Sequence, residues 1–198
     1  VGLEMCIRDR FNEDLDLLRS YYRNNGYLDV EINLDQVEID KISPKKIAIN
    51  IPIDEGQCYY IGDLSVTDNS IFTGDELLQG IRIKSGAPFS PENVDAASSS
   101  LRDYYTSRGY LEAYVRADRV PNMDSRRIDV VFRVRESEKF YVESINVEGN
   151  TKTKTRVILR ELALRPGDVF DLKRLETSEM RLKNTHFFDD VRLNQEVT

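Results

Sequence analysis

Leu101-Arg102-Asp103-Tyr104-Tyr105-Thr106-Ser107-Arg108-Gly109-Tyr110-Leu111 is a second copy of Leu18-Arg19-Ser20-Tyr21-Tyr22-Arg23-Asn24-Asn25-Gly26-Tyr27-Leu28, displaced by 83 positions with seven of eleven residues identical. Each copy reads as the end of a helix, a glycine stop and the start of a strand. Gly26 and Gly109 stand where a helix ends in a left-handed residue. Working back from Gly109, Val94, Ala97, Leu101 and Tyr104 recur at three- and four-residue steps, with Arg108 at the exposed end. That spacing predicts one apolar stripe. Tyr104 is expected to face the core and Tyr105 to flank the neighbouring module.

Working outward, Tyr60 to Asn69 aligns with Tyr141 to Asn150, and Gly86 to Phe89 with Gly167 to Phe170, both at an offset of 81. One unit is therefore about 80 residues, the size of a small domain. The chain holds one complete unit at 59–138, the back half of another at 11–58 and the front of a third at 139–198. Phe11, Phe89 and Phe170 precede Asn12, Ser90 and Asp171, side chains that suit a helix N-cap. Pro91 then sits at the first helical position, where its missing amide costs nothing. Phe89 with Val94, and Phe170 with Leu175, have the spacing of a hydrophobic staple. His186 stands in the glycine position of the third unit.

Strands follow the helices. Leu28, Val30, Ile32 and Leu34 alternate with polar residues, as do Leu111, Ala113, Val115 and Ala117. Return strands carry Ile47, Ile49, Ile51 and Ile53, and Ile128, Val130, Phe132 and Val134. Asp40 to Pro44 and Pro121 to Ser125 read as the turns between them. Shorter first helices are expected at Asp75 to Ile81 and Lys154 to Leu164. The order per unit is strand, helix, helix, strand, strand. A three-stranded sheet with both helices on one face buries the alternating set. The segment Phe188 to Val191 is one residue shorter than Leu111 to Val115, which predicts a bulge or a change of register.

Composition closes off several functions. The net charge is −7, and the only basic clusters are Lys45-Lys46, Arg126-Arg127 and Lys152 to Arg156, so no nucleic-acid surface is expected. No run approaches the ~18 apolar residues of a spanning helix. Cys6 and Cys58 form no CxxC pair and no metal-ligand set. Val1 to Arg10 lacks the order of a signal peptide and does not match the pattern from Phe11. It reads as a non-native leader, and the natural chain is expected to begin upstream.

The reactive residue types lack partners. His186 is the only histidine, and no serine or cysteine motif accompanies it, so it reads as a helix-terminal residue. Cys58 has no basic neighbour to lower its pKa and reads as a half-buried structural thiol. Glu13, Asp14 and Asp16 belong to a helix's first turn rather than a metal site. Gly74 and Gly80 are isolated and fit no phosphate loop. Tyr104, Tyr105 and Tyr110 read as core and joint residues rather than a ligand platform. No enzyme, cofactor or metal is expected.

A βααββ unit of this length in tandem resembles the POTRA domain. The resemblance is carried by Gly86-Ala87-Pro88-Phe89-Ser90, by Tyr105 through Gly109-Tyr110, and by Phe140 through Asn150. Asn150-Thr151-Lys152-Thr153 with Val157-Ile158-Leu159-Arg160-Glu161-Leu162, Arg181-Leu182-Lys183 and Phe187-Phe188 is similar to the last POTRA domain of BamA-type assembly factors. The three segments then resemble the third domain in part, the fourth, and the fifth in part; His186 departs from the family's glycine. The resemblance implies an α+β fold of tandem POTRA modules, each βααββ with a three-stranded mixed sheet.

The same resemblance implies a scaffold on the periplasmic face of the bacterial outer membrane. Its partners would be unfolded outer-membrane β-barrel proteins, assembly lipoproteins and its own C-terminal membrane barrel. Strand addition is expected along Leu111, Glu112, Ala113, Tyr114, Val115, Arg116 and Ala117. Lipoprotein contact is expected at Arg160 and Glu161. The competing reading is the POTRA region of a TamA-like factor or of a two-partner secretion transporter.

Overall fold

A computed structural model of the chain describes residues 2–33, 36–43, 46–122, 124–188 and 190–194. The elements in order are α1 (Gly2–Asn24), β1 (Glu31–Ile32), β2 (Glu38–Ser43), β3 (Lys46–Asn50), β4 (Ile53–Asp54), β5 (Tyr60–Thr67), α2 (Gly74–Gln79), α3 (Pro91–Thr106), β6 (Tyr114–Asn122), β7 (Arg127–Arg135), α4 (Thr155–Glu161) and α5 (Leu172–Asn184). This is the α+β pattern read from the repeat. The chain divides into two compact units. One comprises Val1–Thr67, Ile81–Ser98 and Arg116–Arg133; the other comprises Asp68–Gly80, Ser99–Val115 and Val134–Thr198.

In the first unit, Phe11, Leu15, Leu18 and Tyr22 recur at helical steps along α1. Leu15 packs with Val30 and Ile32, and Phe11, Leu18, Tyr22, Ile51 and Ile53 close around them. The helix begins at Gly2, not after Asn12, so Asn12 is not an N-cap. The preceding Leu, Glu, Met and Arg are good helix formers and no proline interrupts them. Asp40 to Ser43 is strand rather than turn: β2 pairs antiparallel with β3, Glu38 opposite Asn50. Pro44, the rest of that expected turn, lies outside the described residues, as does Leu34. Among the described residues of the first expected strand, only Glu31 and Ile32 form a ladder, opposite Asp54 and Ile53. Pro52, which has no amide to donate, separates β3 from β4.

The central sheet has the order β5-β7-β6. β5 runs parallel to β7, with Ile61 opposite Ile128 and Val66 opposite Phe132. A register shift falls between Ile61 and Leu64. Asp129 fills it, its carboxylate accepting the Asp63 amide at 2.7 Å. A Cβ on Gly62 would lie 1.9 Å from that carboxylate oxygen, so a side chain there would displace the Asp129 carboxylate from the bulge. Along β7, Ile128, Val130, Phe132 and Val134 are buried and alternate with more exposed residues, as expected. β6 reaches Asn122, past the start of the expected turn, and carries Pro121, which an edge strand tolerates.

Two of the three expected helix caps form, at Ser90 and Asp171. The Ser90 hydroxyl accepts the Asn93 amide at 3.2 Å, and Asp171 accepts the Lys173 and Arg174 amides at 2.9 and 3.2 Å. Phe89 and Val94 are both buried. The Asn24 carboxamide reaches the start of α3, accepting from the Ser90 hydroxyl at 3.2 Å. Gly26, Gly109 and His186 all have positive φ, at 98°, 97° and 55°.

The same backbone joint appears twice. In the first unit the Tyr59 amide donates to the Gly26 carbonyl at 2.8 Å, and the Phe89 amide to the Tyr59 carbonyl at 2.9 Å. In the second, Phe140 donates to Gly109 at 2.9 Å and Phe170 to Phe140 at 3.0 Å. In the third repeat, among the described residues, the segment aligned with β5 forms only the bridge of Tyr141 with Val169. The register expected at Phe188 to Val191 includes Asp189, which lies outside the described residues.

Candidate functional site

With β7 at the centre, β5 and β6 are the two edges of the sheet. The start of β5 is already covered by its own chain: Ile61 donates to Ala87 and accepts from Gly86, both at 2.8 Å. Along β6, among the described residues, no strand pairs with the outer side. The expected site 111–117 meets this edge only in its second half. Leu111, Glu112 and Ala113 precede the strand, and the Ala113 amide donates to the Tyr110 carbonyl at 3.2 Å in a turn. Ala113 is buried, so it offers neither side chain nor amide to a partner. Tyr114, Val115, Arg116 and Ala117 are strand, with Tyr114 half exposed at 52% and Val115 buried.

Beside the start of β6 lies an open groove of about 840 Å³ lined by Arg102, Glu112, Tyr114, Arg135, Glu138 and Phe140, among others. The Arg135 guanidinium sits 5.9 Å from the centre of the Tyr114 ring. Further along the strand, Asp118 accepts from Arg116 at 2.8 Å and from Arg133 at 3.2 Å. Arg119 faces the other way, to Asp95 of α3 at 2.7 Å.

The tyrosine pair is placed opposite to expectation. Tyr105 is fully buried and Tyr104 is half-buried. The reason is a polar partner the stripe does not reveal. The Tyr105 hydroxyl donates to Glu136 at 2.9 Å. Glu136 also accepts the Ser70 amide at 3.0 Å, the Ile71 amide at 2.9 Å and the Ser70 hydroxyl at 2.5 Å. Burial by itself would raise the Glu136 carboxyl, but these hydrogen bonds outweigh it and hold the group below its usual range. Tyr105 is pushed upward, first by burial and then by its bond to Glu136. Tyr104 instead lies under the Arg108 guanidinium, 3.5 Å from the ring centre, and its hydroxyl bonds Glu76.

Phe72 joins this cluster edge-on to Tyr104, Tyr105 and Tyr110, at 5.1, 5.0 and 5.8 Å between ring centres. Neither Phe72 nor Glu136 stands out in the sequence, although Glu55 precedes Glu136 by one repeat. Tyr22, in the equivalent place, is likewise raised by burial and then by Glu55. Four hydrogen bonds to one carboxylate thus tie the loop at Ser70 and Ile71 to α3.

α4 ends at Glu161, short of the expected Leu164; on it Ile158 is buried, Val157 half-buried and Leu159 39% exposed, and just beyond it Leu162 is half-buried and Leu164 buried. Arg160 is exposed and its guanidinium lies 3.4 Å from the half-buried Glu161 carboxylate. The connection to α5 is held by the buried Ser178, whose hydroxyl accepts the Ala163 amide at 2.8 Å. His186 is exposed. Cys58 is half-buried and free, weakly bonded to the Asn25 carbonyl at 3.8 Å. Among the described residues no group of three His, Cys, Asp or Glu side chains can hold a metal ion. Among them no helix is long and apolar enough to cross a membrane.

The family model for POTRA, described as surface antigen variable number repeat, matches residues 5–56, 59–137 and 140–198. The outer membrane protein assembly factor BamA of Nitratidesulfovibrio vulgaris is 28% identical over 182 residues, 90% of this chain and 23% of that protein. BamA of Neisseria meningitidis serogroup B is 26% identical over 186 residues, 93% of this chain and 23% of that protein. The chain thus spans about a quarter of the length of these relatives. The crystal structure of Haemophilus influenzae BamA POTRA3-5 superposes with a TM-score of 0.62 at 22% identity, covering 92% of this chain and 72% of that one. BamA from Haemophilus ducreyi lacking POTRA domains 1-3 gives 0.63 at 23% identity, over 69% and 26%. At such identities the structural likeness speaks for the fold.

Proposed function

The chain belongs to the POTRA family, and from that premise we propose that it is the periplasmic part of a BamA-type outer-membrane protein assembly factor that binds unfolded barrel proteins by strand addition. The observation that carries this reading is the outer side of β6, where no strand pairs among the described residues. Such an edge offers amides and carbonyls to an extended segment whatever its side chains. That suits substrates that are themselves unpaired strands. Arg116, Asp118, Arg119 and Pro121 on the same strand are the devices that keep an edge from pairing with copies of itself.

Three further statements belong to this proposal. The modules divide as 11–58, 59–138 and 139–198, with Val1–Arg10 outside them. The last module contacts an assembly lipoprotein through Arg160 and Glu161 of α4. The chain continues into its own membrane barrel. No catalytic role is proposed: the half-buried Glu136 carboxylate, paired with the buried Tyr105 phenol, holds the loop at Ser70 and Ile71.

The test uses paired proline variants. Successive amides of a strand point to opposite edges, so one of Arg116 and Ala117 donates outward. Arg116→Pro and Ala117→Pro are titrated with peptides from an unfolded outer-membrane barrel, with folding followed by circular dichroism. The expected result is that the variant lacking the outward amide stays folded and loses binding. If each folded variant binds as tightly as the unsubstituted chain, strand addition at β6 is wrong.

A further inference from the structure

The loops that lead into α2 and α4 hold the same place in the repeat and are built on the same turn. The Asn69 carboxamide donates to the Phe72 carbonyl at 2.8 Å. The Asn150 carboxamide donates to the Thr153 carbonyl at 2.9 Å and to the Thr155 hydroxyl at 3.0 Å. The backbone is solved alike, yet the charge is opposite. Residues 68–79 carry three acidic side chains, Asp68, Asp75 and Glu76, and no basic one. Residues 149–160 carry four basic side chains, Lys152, Lys154, Arg156 and Arg160, and no acidic one, in a chain of net charge −7.

For the helix itself the second arrangement has the wrong sign. A helix start favours acids and a side-chain cap, because its first amides are unpaired and partly positive. α2 obeys: the Thr73 hydroxyl accepts the Glu76 amide at 3.3 Å, and Asp75 and Glu76 fill the first turn. α4 breaks both rules, since its N-cap Lys154 makes no side-chain bond and its first turn holds no acid. The α2 loop shows that this fold accepts the ordinary solution. A local rule broken with no structural return points to function.

Lys152, Lys154 and Arg156 are all exposed, and among the described residues no ion pair joins them to a carboxylate. They recur at every second position. Two are lysines, flexible point charges without the fixed fork that recognises a single carboxylate or phosphate. Leu159, 39% exposed, adds apolar surface one turn along α4.

We propose that the loop 149–156 and the start of α4 dock on anionic phospholipid headgroups at a bilayer surface. Spaced, mobile cations match a diffuse field of phosphates, and polybasic segments bind such surfaces additively. The inference stands apart from strand addition at β6, since it rests on the charge of this loop alone.

The chain is spun down with phosphatidylcholine vesicles, either pure or with about a third phosphatidylglycerol, at low and high salt. The expected result is cosedimentation with the anionic vesicles only, lost at high salt. Replacing Lys152, Lys154 and Arg156 together by Gln lowers partitioning roughly a hundredfold, at about fivefold per basic residue. A control with Arg82, Lys84 and Arg127 replaced by Gln carries the same net charge and retains binding; circular dichroism verifies both folds. Equal binding to pure and anionic vesicles, or equal loss in the control, overturns the proposal. Binding to polyglutamate without binding to anionic vesicles overturns it in favour of an acidic protein partner.

Discussion

The Gly109 carbonyl accepts the Phe140 amide at 2.9 Å, and a Cβ placed on Gly109 would lie 3.1 Å from the Phe140 carbonyl oxygen and 2.6 Å from a Val169 methyl. Gly26 has the same relation to Tyr59, with the Tyr59 carbonyl at 2.8 Å and the Cys58 sulfur at 2.9 Å from its virtual Cβ. The glycine that ends a helix therefore also receives the following strand. Gly86 has a similar φ, 84°, with nothing within 4 Å. Gly86→Ala should then show only the left-handed strain, about 1–2 kcal/mol. Gly109→Ala should lose that plus an overlap of about 1–3 kcal/mol. Urea unfolding of the two variants tests this; equal losses would mean that the close approach at Gly109 relaxes freely.

The two neighbouring tyrosines should respond very differently to loss of their hydroxyls. Tyr105→Phe removes a buried donor from a half-buried carboxylate and should cost about 1.5–3 kcal/mol. Tyr104→Phe loses a bond to the exposed Glu76 and should cost less than about 1 kcal/mol. Comparable urea midpoints for the two variants would contradict the placement of Tyr105 against Glu136.

Glu136 makes stability depend on pH in a defined direction. Its folded pKa lies below the ordinary 4.5, so the unfolded chain binds the proton first as pH falls. Stability from this group is fully present above the unfolded value and is lost as pH drops through the folded one. Thermal melts from neutral pH down past that window should show a fall, and Glu136→Gln should show a shallower one. An unchanged slope in the variant would assign the acid sensitivity to other carboxylates.

On the proposed lipoprotein contact, Glu161→Lys should weaken binding of an assembly lipoprotein to the full-length protein without unfolding the module. An exposed ion pair contributes only about 0–1 kcal/mol, whereas truncating a desolvated interface pair costs about 2–5 kcal/mol. Because Arg160 already lies 3.4 Å from this carboxylate, Arg160→Ala separates loss of the internal pair from loss of the partner. A matching charge reversal on the lipoprotein should restore affinity in calorimetry. Unchanged affinity for Glu161→Lys at low salt removes this residue from the interface.

The repeat, the order of elements and the special backbone positions were legible in the residues alone, because each depends on local chemistry. Gly26, Gly109 and His186 take positive φ, and Ser90 and Asp171 cap their helices, where the spacing says they should. Alternation along Ile128, Val130, Phe132 and Val134 marks the buried side of β7, because side chains of a strand point alternately to its two faces.

What the tertiary structure decided are the ties that local chemistry leaves open. At 100° per residue, Tyr104 and Tyr105 fall about 50° to either side of the stripe set by Val94, Ala97 and Leu101, so periodicity cannot choose between them. Glu136, 31 residues along the chain from Tyr105, makes the choice by holding that hydroxyl. The edge strand starts at Tyr114 rather than Leu111 because the Ala113 amide is drawn into a turn with Tyr110, which the alternating pattern does not record. Asp40 to Ser43 is strand because β3 supplies partners, although its composition reads as turn. A hydrogen-bond partner distant in sequence for Tyr105, a competing turn for Ala113 and a neighbouring hairpin strand for Asp40 to Ser43 each outweigh a local preference of comparable size.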